Sequence, residues 1–156
     1  MRSILATLLI SVMLAATASA QLADKKALTL EAAKKMAAAA EAEAVKNKWT
    51  MVIAVVDDGG HLIYLQRTDE TQAGSIDVAI QKAKSAVMFK RPTKVWEDFV
   101  AGGRNAILGL SGAVPIEGGV PVLAGGKLIG AVGVSGGSAA QDGQVAKAGV
   151  DALTKP

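Results

Sequence analysis

The chain has 156 residues, no cysteine, a single histidine and a formal net charge of +3. That length fits one domain and excludes a large two-domain enzyme, and 51% hydrophobic against 20% charged residues argues against intrinsic disorder. The missing cysteines exclude a disulfide, a thiolate metal site and a cysteine nucleophile, and the lone His61 excludes a multi-histidine metal site within one protomer.

Residues 1–20 read as a secretory leader rather than part of the fold. Arg2 is a short basic start, residues 4–16 are an apolar run, and Ala18, Ser19 and Ala20 form a small-residue cleavage site before Gln21. The apolar run is shorter than the ~20 residues of a membrane-spanning helix, so no stable membrane anchor is expected. The expected mature chain is 21–156, periplasmic or secreted. Its modest positive surplus is spread along the sequence, which does not suggest nucleic acid as a partner.

In the mature chain, residues 29–47 predict a helix capped by Thr29, with Leu30, Ala33, Ala37, Ala40 and Ala44 on one face. Residues 50–56 are a β-branched apolar run, expected to be a strand buried on both faces. Asp57, Asp58, Gly59 and Gly60 make a turn, and residues 61–66 the returning strand, with His61 expected on the face of Ile63 and Leu65. A second helix runs from Ser75 to about residue 89 and is stopped at Pro92. A short third helix from Thr93 to about Ala101 carries Trp96 and Phe99 and ends at Gly102 and Gly103. The glycine-rich stretch that follows contains a second hairpin, 120–124 and 128–134 around Gly125, Gly126 and Lys127, and residues 113–116 are expected to add an edge strand. Ser138 and Gln141 match a capping box for a last helix. Two hairpins imply antiparallel pairing. The expected fold is therefore α+β, a single two-layer domain with an antiparallel sheet of about five strands and helices packed on it.

Four motifs are weighed for chemistry. Gly133 to Gly137 spells a nucleophile elbow around Ser135, but that motif needs a histidine later in the chain and His61 lies upstream. The stretch around Gly125, Gly126 and Lys127 is not a phosphate loop, because Leu128 stands where Ser or Thr is required. Asp57, Asp58 and His61 form a polar cluster whose composition is first that of a solvated hairpin turn and second that of a metal or acid/base site, and His61 is the one strong neutral nitrogen ligand for a haem iron. Phe89, Lys90, Arg91 and Lys94 with Trp96 and Phe99 bring cations and aromatics together, the composition of a site for an anionic, partly apolar ligand.

Residues 53–67 (IAVVDDGGHLIYLQR), 75–93 (SIDVAIQKAKSAVMFKRPT) and 118–137 (GGVPVLAGGKLIGAVGVSGG), with Asp142 and the helix after it, resemble the GlcG/HbpS family of small haem-binding proteins, which includes the C-terminal domain of PduO. The resemblance implies a PAS/profilin-like domain, homo-oligomers from dimer to octamer, and haem binding in some members. It suggests haem as a small-molecule ligand, with His61 on the iron, Lys90, Arg91 and Lys94 on the propionates, and Phe89, Trp96 and Phe99 as walls, the site lying near a subunit interface. The alternative is a small lyase, isomerase or hydrolase acting on an organic acid through Asp57, Asp58 or His61, with Arg91 orienting the carboxylate.

Overall fold

The computed structural model describes residues 22–154, so the expected leader lies outside the described residues. Four helices and four strands follow in the order α1 (Leu30–Lys46), β1 (Val52–Asp57), β2 (Leu62–Arg67), α2 (Ser75–Met88), α3 (Lys94–Ala101), a 3-10 turn (Asn105–Gly109), β3 (Gly119–Ala124), β4 (Lys127–Ser135) and α4 (Ala139–Thr154). Local chemistry sets the helix starts. Thr29 accepts a hydrogen bond from the Ala32 N–H, and Ser138 and Gln141 exchange the two bonds of a capping box. Among the described residues no helix is long and apolar enough to cross a membrane.

The strands form one antiparallel sheet in the order β2-β1-β4-β3. Asp57 at the end of β1 pairs with Gly130 near the start of β4, so both hairpin turns, 58–61 and 125–126, lie at one end of the sheet. Strand β1 is buried along Val52–Val56 because both sheet faces are covered. Ile53 and Val55 share a core with Met36, Ala40, Val132 and Val145, which puts α1 and α4 on one face. Val52, Ala54 and Val56 turn to Ala79, Ala83 and Ala86 of α2 on the other. Helices thus flank the sheet on both sides, adding a layer to the two expected.

Small residues set the spacing of these layers. A Cβ on Gly133 would collide with the Ala79 carbonyl oxygen and come within 2.6 Å of the Ala83 amide nitrogen, so α2 rests directly on β4. Gly149 plays the same part between α4 and α1, where a Cβ would lie 2.9 Å from the Met36 carbonyl oxygen. The glycines of β4 therefore serve the protomer's own packing.

Two expectations differ from the structure. Residues 113–116 form no strand, leaving four strands instead of about five: the Val114 N–H donates to Ser85 Oγ at 3.1 Å, and Pro115 has no N–H to give to a ladder. In β2, Val55 opposes Tyr64 while Val56 opposes Leu62, so Ile63 is the extra residue of a bulge. Ile63 and Tyr64 then both face the α1/α4 core and Leu65 faces α2, so His61, Ile63 and Leu65 do not share one face.

The helix α2 also buries a charge. Lys82 is 1% exposed, and its Nζ donates to the Val134 carbonyl at 3.1 Å and to Asp142 Oδ2 at 2.7 Å. Asp142 Oδ1 accepts the Gly137 N–H at 3.0 Å, so the pair joins α2, β4 and the first turn of α4. Removing one member of a buried pair strands the other, at a cost of about 3–5 kcal/mol. Lys82→Met is expected to lower the unfolding free energy by that amount, and the double variant Lys82→Met/Asp142→Leu to recover much of the loss; equilibrium urea unfolding checks both.

Candidate functional site

The turn joining β1 to β2 carries the only histidine. Asp57 ends β1 as its backbone N–H donates to the His61 carbonyl at 2.9 Å, and its Oδ1 accepts from the Gly59 and His61 N–H groups, each at 2.8 Å. These bonds hold the Asp57 carboxyl below the usual carboxylate range, the His61 backbone N–H contributing most against a smaller opposing effect of burial. The His61 side chain is 84% exposed and its Nδ1 stands 3.4 Å from Asp57 Oδ1. Asp58, next in sequence, points elsewhere and pairs with Lys25 of the segment that precedes α1.

Beside this turn is an open cleft of about 660 Å³ lined by Asp58, Lys90, Leu123, Gly126, Lys127 and Leu128. It lies between the two hairpins and the C-terminal end of α2. Lys90 occupies the left-handed region at φ 52°, a conformation that costs a non-glycine residue about 1–2 kcal/mol. It ends α2 in that conformation, its N–H bonded to the Val87 carbonyl at 3.2 Å and the next N–H, from Arg91, to Ala86 at 3.2 Å.

The other expected binding residues gather past that helix end. Phe89 and Trp96 meet edge to face with ring centroids 5.1 Å apart, and Trp96 and Phe99 at 6.0 Å. The Arg91 guanidinium lies 4.9 Å from the Trp96 ring centre, and Arg104 lies 4.8 Å from that of Phe99. Lys94 pairs with Asp98 one turn along α3. Trp96 is 4% exposed, and its Nε1 has no hydrogen-bond partner. Thus Phe89, Arg91, Trp96 and Phe99 form one aromatic–cation cluster, Lys90 and Asp58 share the cleft, and His61 and Asp57 form a third group on the turn that carries Asp58. Lys127, Leu123 and Leu128 were absent from the sequence expectations. They enter because β4 pairs with β1, which brings the second turn next to the first. Among the described residues no group of three or more His, Asp or Glu is arranged to hold a metal ion.

Comparison with known proteins agrees with this fold. Residues 28–151 match the family model described as haem degrading protein HbpS-like. The chain belongs to the HbpS-like family. It is 44% identical over 111 residues to protein GlcG of Escherichia coli K12, spanning 71% of this chain and 83% of that one. A 15.0 kDa protein from the dhaT-dhaS intergenic region of Citrobacter freundii is 39% identical over 133 residues, 82% and 93% of the two chains. Among solved structures, a double mutant of Streptomyces reticuli HbpS superposes with a TM-score of 0.78 at 34% identity, covering 86% of this chain and 92% of that one. A structure of a PduOC:heme complex superposes with a TM-score of 0.73 at 29% identity, covering 81% and 95%.

The opposite end of β3 holds a group that the sequence reading missed. Glu117, just before Gly118 and β3, packs against Gly143 of α4, and its N–H donates to Glu97 Oε2 at 2.7 Å. Burial first, and then the Glu97 charge, push the Glu117 carboxyl above the usual carboxylate range. The folded chain therefore holds this proton more tightly than the unfolded chain. The stability this lends is complete below the ordinary carboxylate range and is lost as pH rises through the elevated one. Glu117→Gln, which cannot ionise, is expected to melt above wild type at neutral pH, with the difference closing below about pH 4; thermal melts across that range check it.

Proposed function

We propose that this chain is an exported, homo-oligomeric haem-binding protein whose ligand sits at the hairpin end of the sheet. One observation carries the reading: an exposed imidazole, beside a carboxylate, sits on the turn whose Asp58 lines a cleft, and the walls of that cleft pair Leu123 and Leu128 with the ammonium groups of Lys90 and Lys127. The cleft volume falls within the roughly 300–1,000 Å³ of ligand pockets. Haem supplies an iron that accepts a nitrogen lone pair, together with two carboxylates that seek cations. His61 offers the nitrogen, Lys90 and Lys127 offer the cations, and the leucines offer apolar contact. Lys25 neutralises Asp58, so that carboxylate does not repel an anionic ligand from the cleft. Arg91 and Lys94 are engaged by Trp96 and Asp98, and Phe89 and Phe99 each meet Trp96 edge to face, so this group braces the Lys90 segment beside the ligand. The HbpS-like family description and the haem complex of PduOC support the same ligand class.

Export rests on the leader pattern of residues 1–20. Self-association rests on apolar side chains left in water, with Leu108 64%, Met88 62%, Ile116 46% and Leu110 41% exposed. Light scattering of the mature chain at micromolar concentration is expected to give at least a dimer mass; a single-chain mass overturns this part.

Titration with haemin is expected to give a saturable Soret shift, lost or displaced in His61→Ala. Lys90→Gly separates function from strain. It relieves the left-handed backbone, raising stability by about 1 kcal/mol, while weakening haemin binding. A variant that gains stability and binds haemin unchanged removes Lys90 from the site. The Asp57–His61 pair also favours a second reading, acid/base chemistry on an organic acid held by Lys90 and Lys127. Turnover of such an acid with a bell-shaped pH profile, abolished in His61→Ala, selects it over haem binding.

A further inference from the structure

We infer that Asp57 and Gly59 together hold the His61 imidazole as its Nδ1–H tautomer, so that Nε2 is the bare nitrogen presented to a ligand. What Nε2 then does rests on the function proposed above; the positioning itself does not.

Two backbone N–H groups and one ring nitrogen converge on one oxygen. Asp57 Oδ1 takes the N–H groups of Gly59 and His61 and faces His61 Nδ1 at 3.4 Å. A carboxylate oxygen in this position accepts only a proton-bearing nitrogen, and the hydrogen bond made by one ring nitrogen fixes which tautomer is present. In a free side chain the Nε2–H tautomer is the major one, so the turn must reverse the usual preference. The ring is 84% exposed, and its Nδ1–Cε1 edge is the edge turned to the backbone.

Gly59 supplies the second, independent observation. The two glycines of the turn have different jobs. Gly60 has φ +82°, where a side chain is strained, so the backbone itself calls for glycine there. Gly59 has no such φ, and the turn does not demand glycine at that position. What a side chain would meet is the imidazole: a Cβ on Gly59 would lie 2.8 Å from His61 Nδ1, 3.0 Å from Cε1 and 3.2 Å from Asp57 Oδ1. The missing Cβ is the space in which the ring lies against the carboxylate. Asp57 and Gly59 are thus positioning residues for His61, the arrangement seen where a carboxylate orients a ligating histidine.

With one histidine in the chain, the test is unambiguous. An untagged, 15N-labelled mature chain gives one set of imidazole signals, and long-range 1H–15N spectra at mildly alkaline pH report which nitrogen carries the proton. Wild type is expected to show a protonated Nδ1 and a pyridine-like Nε2. Gly59→Ala and Asp57→Asn should both move the population toward Nε2–H, and Asp57→Glu should restore it in part. The Asn amide oxygen can still accept the two backbone N–H groups, so this variant keeps the turn, and an unchanged melting temperature confirms it. A wild-type imidazole with the proton on Nε2, or the wild-type pattern in both Gly59→Ala and Asp57→Asn, overturns the inference. Haemin titration of the same samples is read separately. With the tautomer as stated, Asp57→Asn should weaken haemin binding on the order of 10-fold. The expected tautomer with no Soret shift in wild type overturns the haem reading and leaves the positioning intact.

Discussion

The architecture turns on one buried ammonium. Lys82 lies within the apolar stripe of α2, and its Nζ is satisfied by one carbonyl and one carboxylate from other elements. An ion taken out of water is tolerated only when its partners are fixed, so the pair constrains three elements at once. The helix α2 sits on one face of the sheet and α4 on the other, and the Lys82–Asp142 contact bridges them at the end of β4. The chain entering β3 must pass this contact. Gly118 and Gly119 have no side chains, and a Cβ on Gly118 would lie 2.8 Å from Lys82 Nζ. From there Thr93 exchanges hydrogen bonds with Gly119, which fixes the start of α3. Sheet spacing, the entry of the edge strand and the helix that follows α2 all depend on one charge being paired.

The two ends of the sheet differ in consequence. At the Lys82 end, Lys82 and Asp142 are buried and Glu117 is pressed against Gly143. At the hairpin end, Lys90 and Lys127 line an open cleft and His61 stands in water. Ligand binding belongs where side chains are free to exchange solvent for a partner, carried by a frame that is rigid elsewhere. Lys90 holds its left-handed conformation beside the cleft, as Lys48 and Glu70 do at the other end of the sheet, and the helix packing behind Lys90 sustains it.

Much of this was legible in the sequence, and the reasons are local. The caps at Thr29 and Ser138, the turn compositions around Gly60 and Gly126, and the stop at Pro92 are determined by neighbours in the chain. The unbroken apolar run of β1 already indicated cover on both faces. What escaped depends on contacts between distant segments. Lys82 falls at helical spacing with Ala79, Ala83 and Ala86, an inward position that a lysine can hold only because Asp142, sixty residues later, meets it. The strand expected at 113–116 was lost to Ser85, and the bulge at Ile63 reversed a face that strict alternation had assigned. Lys127 joined the site through the β1–β4 pairing, which no turn composition encodes. The aromatic cluster was recognised as a group, but its burial within the protomer follows only from the packing of Trp96.

Asp57 and Asp58 show how the cleft acquires its electrostatic character. Side by side in sequence, they resemble a cation site, and in the fold neither is free to be one. Asp57 spends its oxygen on two backbone N–H groups and the imidazole, and Asp58 is matched by Lys25. With both carboxylates engaged, the charges lining the cleft without an ion-pair partner among the described residues are the ammonium groups of Lys90 and Lys127, beside Leu123 and Leu128. Selection for an anionic, apolar ligand therefore does not need a dense basic patch, consistent with a net charge of only +3. It needs the local carboxylates to be occupied, and the turn that occupies Asp57 is the same turn that orients His61. In the proposed site, charge selection and nitrogen presentation would be two results of one short loop, with Gly59 giving the imidazole room against the carboxylate.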